Sequence, residues 1–224
     1  AGTPLSVASA SSTGTGDLGV VVERATGKLA IVNTSQPRVL AEVEGLGDLS
    51  HASVVFSRDA ASAFVFGRDG AMSRVDLLQR RLTGRVMQAG NSIGGAISQD
   101  GRLVAAQNYQ PGGIKVFDAR TLELVADIPA IGADGKASRV VGLADLPGHR
   151  FIYALFDAGE IWIADLSEPK APKVTKFRDI GRQPYDALVT PNGRHYIAGL
   201  FGEDGLEFYG AGSCMKAGLN YADK

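Results

Sequence analysis

Short apolar runs rich in β-branched and aromatic residues alternate along this chain with polar turns built from Asp, Asn, Pro and Gly. The turns recur at a nearly constant interval. SRDAASAFVF at 57–66, SQDGRLVAAQ at 98–107, ADLPGHRFIYA at 144–154 and TPNGRHYIAG at 190–199 each read as a strand end, a turn and a new apolar strand. A second turn follows within the repeat, at IVNTSQPRVL (31–40), VDLLQRRL (75–82), VFDARTLEL (116–124) and IADLSEPKAPKV (163–174), with an Asp or Asn at 33, 76, 118 and 165. A period of about 43 residues made only of short strands predicts an all-β β-propeller, whose four-stranded blades bury both faces only when neighbours stack on them.

The turn signals assign strands by register. Naming the strands of a blade A to D from the axis outward, the first unit supplies B 18–23, C 28–33 and D 38–43 without an inner strand. The second runs A 52–57, B 62–67, C 72–77 and D 82–87, and the third A 93–98, B 103–108, C 113–118 and D 123–128. The fourth runs A 140–145, B 150–156, C 160–165 and D 173–177, and the fifth begins with A 186–190 and B 195–200. Antiparallel alternation then puts the D–A and B–C connections on one face and the A–B and C–D turns on the other.

That rule sorts the chemistry. The D–A entries carry His51, Ser92, Arg139 and Tyr185, and the B–C loops carry Arg24, Arg68, Tyr109 and Asp157. All eight are expected on one face near the channel mouth. Arginines offer bidentate pairing, tyrosines rings and hydroxyls, and histidine a metal ligand, a mixture suited to a large planar ligand bearing carboxylates. His149 and His195 fall at A–B turns, on the opposite face, which leaves His51 as the candidate ligand. Asp157 and Asp186 are open to two readings, as proton carriers on the functional face or as turn caps.

Composition narrows the alternatives. The 224 residues are 45% hydrophobic with 29 glycines, and 23 basic residues balance 24 acidic ones, so there is no concentrated basic face for nucleic acid. No apolar run is long enough for a membrane-spanning helix. Cys214 is the single cysteine and has no internal partner for a disulfide. Residues 1–16 are small and polar, and read either as a flexible linker left after a targeting segment or as an ordinary terminus. GTGDLG at 14–19 matches G-x-G-x-x-G, but it precedes a strand–turn–strand pattern rather than a helix, so a flexible entry to the first strand is the better reading. The paired glycines of SIGGAIS at 92–98 suit crowding at the axis or a closely lying ligand.

Beyond pattern, DLGVVVERATGKLAIV, LSHASVVFSRD, FVFGRDGAMSRVDL, AGNSIGGAISQDGRLVAAQNYQPGGIKVFDARTLELV, FDAGEIWIADLS and IGRQPYDALVTPNGRHYIAGLFGEDGL resemble the NirF family of haem d1 biosynthesis proteins over about residues 14–206. That family is related to the d1-haem domain of cytochrome cd1 nitrite reductase and to the dihydro-haem d1 dehydrogenase NirN. The resemblance implies an eight-bladed propeller with the tetrapyrrole over its channel, of which this chain covers about four and a half blades. It implies His51 as axial ligand to the haem iron, Arg24 and Arg68 as partners of peripheral carboxylates with Arg139 as a third, and Tyr109 against the macrocycle.

Where the reductase has a distal histidine, this chain has Tyr185 followed by Asp186, a departure that argues against nitrite reduction. Haem d1 or a dihydro-haem d1 precursor is the expected cofactor, in the periplasm. Two functions stay open within the resemblance: a dehydrogenase-like maturation step served by Tyr185, Asp186 or Asp157, and a carrier that passes the tetrapyrrole to other haem d1 assembly proteins or to the nitrite reductase. A cofactor-free propeller scaffold is the third alternative. Residues 207–224 read as an atypical tail, so a truncated or frameshifted chain, or a half-ring completed by another chain, is also expected.

Overall fold

The computed structural model describes residues 14–210, with side chains at 207–209 left aside. Apart from a short 3-10 turn at Thr15–Asp17, which occupies the G-x-G-x-x-G stretch, its regular elements are strands. They form five antiparallel sheets in sequence order, three of four strands and two of three. The first sheet holds β1 (Leu18–Glu23), β2 (Lys28–Asn33) and β3 (Arg38–Val43). The second holds β4 (Ser53–Phe56), β5 (Ser62–Phe66), β6 (Ala71–Asp76) and β7 (Arg81–Met87), and the third β8 (Asn91–Ile97), β9 (Leu103–Gln110), β10 (Ile114–Asp118) and β11 (Leu124–Ile128). The fourth holds β12 (Val140–Leu146), β13 (Arg150–Leu155), β14 (Glu160–Asp165) and β15 (Lys173–Phe177), and the fifth β16 (Pro184–Val189), β17 (His195–Leu200) and β18 (Leu206–Gly210).

The architecture is propeller-like. Successive inner strands β4, β8, β12 and β16 pack side by side, and the first sheet has no inner strand of its own among the described residues. The predicted strands agree with the observed ones to within two residues at nearly every end. The fifth sheet differs. Its third strand, β18, pairs with β17 from Leu206 opposite Gly199 to Gly210 opposite His195, inside the stretch that reads from sequence as an atypical tail. The rest of that tail lies outside the described residues.

Four apolar clusters lie between successive sheets. Leu29, Ile31, Val65 and Val75 join the first to the second, and Phe64, Phe66, Met72, Val104 and Phe117 the second to the third. Ile114, Val116, Phe151, Tyr153 and Trp162 join the third to the fourth, and Ile152, Ile161, Ile163 and Tyr196 the fourth to the fifth. Strands such as β5 and β13 are therefore covered on both faces, which is why SAFVF and FIYAL read as unbroken apolar runs rather than alternating ones.

Two buried tyrosines of this core behave oppositely. Tyr196 Oη donates to the Gly142 carbonyl oxygen at 2.7 Å, whereas the fully buried Tyr153 hydroxyl has no hydrogen-bond partner among the described residues. A buried hydroxyl contributes when paired and costs free energy when orphaned. Tyr196→Phe is expected to lower unfolding free energy by about 1–2 kcal/mol. Tyr153→Phe is expected to be neutral or to raise it by about 1 kcal/mol. Urea denaturation of both variants reads the contrast, and equal losses would contradict it.

Candidate functional site

Connections from neighbouring sheets do meet at one end of the molecule. The Asp48 carbonyl accepts Arg68 N–H at 2.8 Å, Gly70 O accepts Gln88 N–H at 3.1 Å, Arg139 O accepts Phe156 N–H at 2.9 Å, and Gln183 O accepts Phe201 N–H at 2.8 Å. Each bond joins a D–A entry to a B–C turn. At the other end, Leu77 N–H bonds Ala61 O, Ala119 N–H bonds Arg102 O and Leu166 N–H bonds His149 O, joining C–D to A–B turns. His149 and His195 belong to that second end; His149 Nδ1 lies 3.4 Å from Asp100 Oδ2, and the His195 backbone closes the Thr190 turn.

Within the first end, five of the sequence-predicted residues form one contact network. Arg139 and Asp157 pair through two edges, Nη2 to Oδ1 at 2.5 Å and Nε to Oδ2 at 3.0 Å, and the Arg139 backbone N–H adds a bond to Oδ2 at 2.9 Å. The guanidinium beside Asp157 holds its carboxyl below the usual carboxylate range. It therefore stays ionised until the pH falls below that range, and the pair holds through neutral pH. Ser138 Oγ accepts the Asp157 N–H at 3.0 Å and fixes the turn. So held, Arg139 stacks 4.3 Å above the Phe156 ring and 5.9 Å from the Tyr109 ring. Arg68 lies 5.7 Å from that same Tyr109 ring.

Tyr109 and Tyr185 meet hydroxyl to hydroxyl at 2.9 Å, although they come from the third and fifth sheets. Both pack over the inner edge of the fourth. Burial, reinforced by the bond from Tyr185, pushes the Tyr109 hydroxyl well up from its ordinary pKa. The Tyr185 ring stands edge-on to Phe156 at 5.7 Å and lies 5.6 Å from Phe201, itself 75% exposed. The inner strands are bulged where they enter this face: β8 between Asn91 and Gly94, β12 between Val141 and Ala144, and β16 between Pro184 and Ala187. A bulge re-aims side chains that a regular ladder would hold alternately in and out, and the β16 bulge contains Tyr185 and Asp186.

Three other predicted residues sit at this end outside the network. Arg24, in the β1–β2 turn, and His51, two residues before β4, are exposed and make no hydrogen bond or ion pair among the described residues. Asp186 is exposed and lines a shallow cleft with Leu200 and Phe201. Ser92 is wholly buried, its hydroxyl donated to the Gln107 carbonyl at 2.8 Å, so it builds β8 rather than facing a ligand. Asp69 pins the turn that carries Arg68: its Oδ2 takes Arg85 Nη2 at 2.6 Å and its Oδ1 takes Ala71 N–H at 3.0 Å.

Phe156 and Phe201 were not singled out from sequence. Their signal is a phenylalanine closing strand B, present also at Phe66. Beside them, Asp157, Gly159, Gly181, Arg182, Gln183 and Gly202 line a cavity of about 420 Å³. Arg182 at its edge pairs with Glu203 at 3.4 Å. Among the described residues no group of three or more His, Cys, Asp or Glu side chains is placed to hold a metal ion.

The family model described as cytochrome D1 heme domain matches residues 13–216, past residue 206, where the sequence resemblance was expected to end. Protein NirF of Stutzerimonas stutzeri is 67% identical over 195 residues, and Protein NirF of Pseudomonas aeruginosa 64%, each alignment covering 86% of this chain and 50% of that protein. The chain thus spans about half the length of the curated relatives it matches. Dihydro-heme d1 dehydrogenase of Pseudomonas aeruginosa is 38% identical over 126 residues, 55% of this chain and 26% of that one. Among solved structures, dihydro-heme d1 dehydrogenase NirN in complex with DHE superposes with a TM-score of 0.80 at 29% identity, over 92% of this chain and 44% of the other. Hydrazine synthase of Kuenenia stuttgartiensis, at TM-score 0.69 and 15% identity over 87% of this chain and 62% of that one, shares the fold alone. With five antiparallel sheets sharing one loop face and a family match across nearly the whole sequence, this chain is a NirF-like member of the cytochrome D1 heme domain family.

Proposed function

We propose that the face formed by the D–A and B–C connections binds haem d1 or a late precursor of dihydro-haem d1 type, in a periplasmic protein of haem d1 biosynthesis. The observation that carries this reading is the cation–aromatic network of Arg68, Tyr109, Arg139, Phe156, Tyr185 and Phe201. Aromatic rings and a stacked guanidinium offer a planar ligand a matching surface, and unpaired arginines meet its carboxylates. The five sheets then form a sector of an eight-bladed ring, as expected of a chain spanning half its relatives' length.

The roles within this site follow from pairing. Arg24 and Arg68 have no ion-pair partner among the described residues, which leaves them to the peripheral carboxylates. Arg139 spends its charge on Asp157 and contributes a flat, oriented cation beside Phe156. His51, exposed at the entry to an inner strand, would hold the iron, and bound iron would supply redox chemistry there. His51→Ala is expected to lose the iron-ligand absorption bands when the protein is titrated with haem d1. Unchanged bands would remove His51 from the role.

A specific observation favours a carrier over a maturation enzyme. Asp157, an acid of the aromatic network, has both carboxylate oxygens occupied by Arg139, which makes it a poor proton acceptor for a maturation step. A carrier hands its tetrapyrrole to other haem d1 assembly proteins or to cytochrome cd1 nitrite reductase. Turnover of purified dihydro-haem d1 separates the two: binding without product supports the carrier, and product formation with Tyr185 or Asp186 dependence supports the enzyme.

A further inference from the structure

The tyrosine pair has a property that neither residue has alone. Tyr109, at the end of β9, and Tyr185, in the bulge of β16, lie 76 residues apart in sequence and reach each other over the intervening sheet. Two phenols share two protons, and their mutual bond consumes one. The other proton remains for donation away from the pair.

The surroundings select what it meets. Burial and the mutual bond keep Tyr109 in its neutral, donating form. Of the two guanidinium groups beside the Tyr109 ring, Arg139 at 5.9 Å is neutralised by Asp157, whereas Arg68 at 5.7 Å has no ion-pair partner among the described residues and is there for a carboxylate. The β12 bulge behind the pair is held in place: Leu143 N–H donates to Gln107 Oε1 at 3.0 Å, and the Gly142 carbonyl takes the Tyr196 hydroxyl at 2.7 Å. A carboxylate gains most from an unpaired cation and so goes to Arg68, which leaves the positioned, uncharged phenol donor to an uncharged acceptor oxygen.

We infer that Tyr109 and Tyr185 act as one hydrogen-bond donor that reads a ring carbonyl oxygen on the bound macrocycle and so selects it over tetrapyrroles lacking one. The inference rests on the binding reading above and deepens it: Arg24 and Arg68 hold any carboxylated tetrapyrrole, and the pair distinguishes among them. It also makes the tyrosine at 185, where a distal histidine is expected in the reductase, a specificity residue.

The test compares haem d1, which carries ring carbonyl groups, with iron protoporphyrin IX, which has none, by absorbance titration of the full chain. The proteins are wild type, Tyr109→Phe, Tyr185→Phe and the double variant. Phenylalanine keeps both rings in their packing, so the fold is retained. Wild type is expected to prefer haem d1. Replacing the tyrosine whose proton faces the ligand weakens haem d1 binding by about fivefold to tenfold and leaves protoporphyrin affinity unchanged. Replacing the other costs less, and the double variant matches the worse single within about twofold, because only one proton was donated. Equal losses for both ligands, additive losses, or no loss overturn the inference while binding itself stands. A wild-type protein that binds neither ligand overturns the binding reading and the inference with it.

Discussion

Gly70→Ala is expected to destabilise the chain by at least about 3 kcal/mol. Gly70 ends the B–C turn of the second sheet with φ +86°, and a Cβ there would lie 2.0 Å from the Ala89 carbonyl oxygen and 2.5 Å from its carbon. Those atoms are backbone and cannot swing aside. The Gly70 carbonyl also accepts the N–H groups of Gln88 and Ala89, so the turn and the next sheet's entry are pressed together by their own hydrogen bonds. Behind them Gln88 and Asn108 exchange a buried pair of amide bonds at 2.8 and 2.9 Å. Forcing the contact apart therefore disturbs both the joint and the loop that carries Arg68.

Gly148→Ala is the control. It has φ +78° but nothing within 4 Å of a Cβ, so it pays only the left-handed backbone cost of about 1–2 kcal/mol. Urea unfolding followed by the fluorescence of the single tryptophan, Trp162, gives both values. Similar losses in the two variants would show that the close approach contributes nothing.

Trp162→Ala should cost about 4 kcal/mol, since removing a large buried ring loses its transfer free energy and leaves a cavity. Trp162 is 2% exposed at the centre of β14, packed on Tyr153 at 6.2 Å, with Lys176 Nζ 3.8 Å from its ring centroid. Its indole N–H donates to Glu160 Oε2 at 2.6 Å, while Glu160 Oε1 accepts the Ala133 N–H at 2.7 Å. The substitution thus also strips one partner from a buried carboxylate. Trp162→Phe keeps most of the volume and loses only the N–H, and is expected to cost about 1–2 kcal/mol. Circular dichroism, which does not depend on the missing indole, reads both, and an Ala variant no weaker than the Phe variant would refute the cavity argument.

How far the chain could be read without coordinates varies by element. The strands of the first four sheets were legible because turn residues mark their ends and covered strands carry apolar runs such as FIYAL and EIWIAD. β18 was not, because LEFYG is followed by small residues unlike the earlier repeats, and its pairing with β17 is what makes it a strand. The candidate face was legible as a set of connections, since antiparallel alternation is independent of packing. Its internal pairing was not. Asp157 and Arg139 are 18 residues apart, and Tyr109 and Tyr185 are 76 apart, with nothing in the sequence joining them.

By itself the sequence determined an all-β repeat of blade length, the end of the sheets on which His51, Arg24, Arg68, Tyr109, Arg139, Asp157 and Tyr185 lie, and the separation of His51 from His149 and His195. Those follow from periodicity and chain direction, which are local properties. Tertiary structure decided which charges are spent and which are free. Arg139 is cancelled by Asp157, Arg68 has no ion-pair partner among the described residues, Ser92 is buried, and bulges in β8, β12 and β16 aim the inner-strand entries. The physical reason is that ion pairs, ring stacking and ladder irregularities depend on distances between strands of different sheets, and a one-dimensional pattern carries the order of those strands but not their separation.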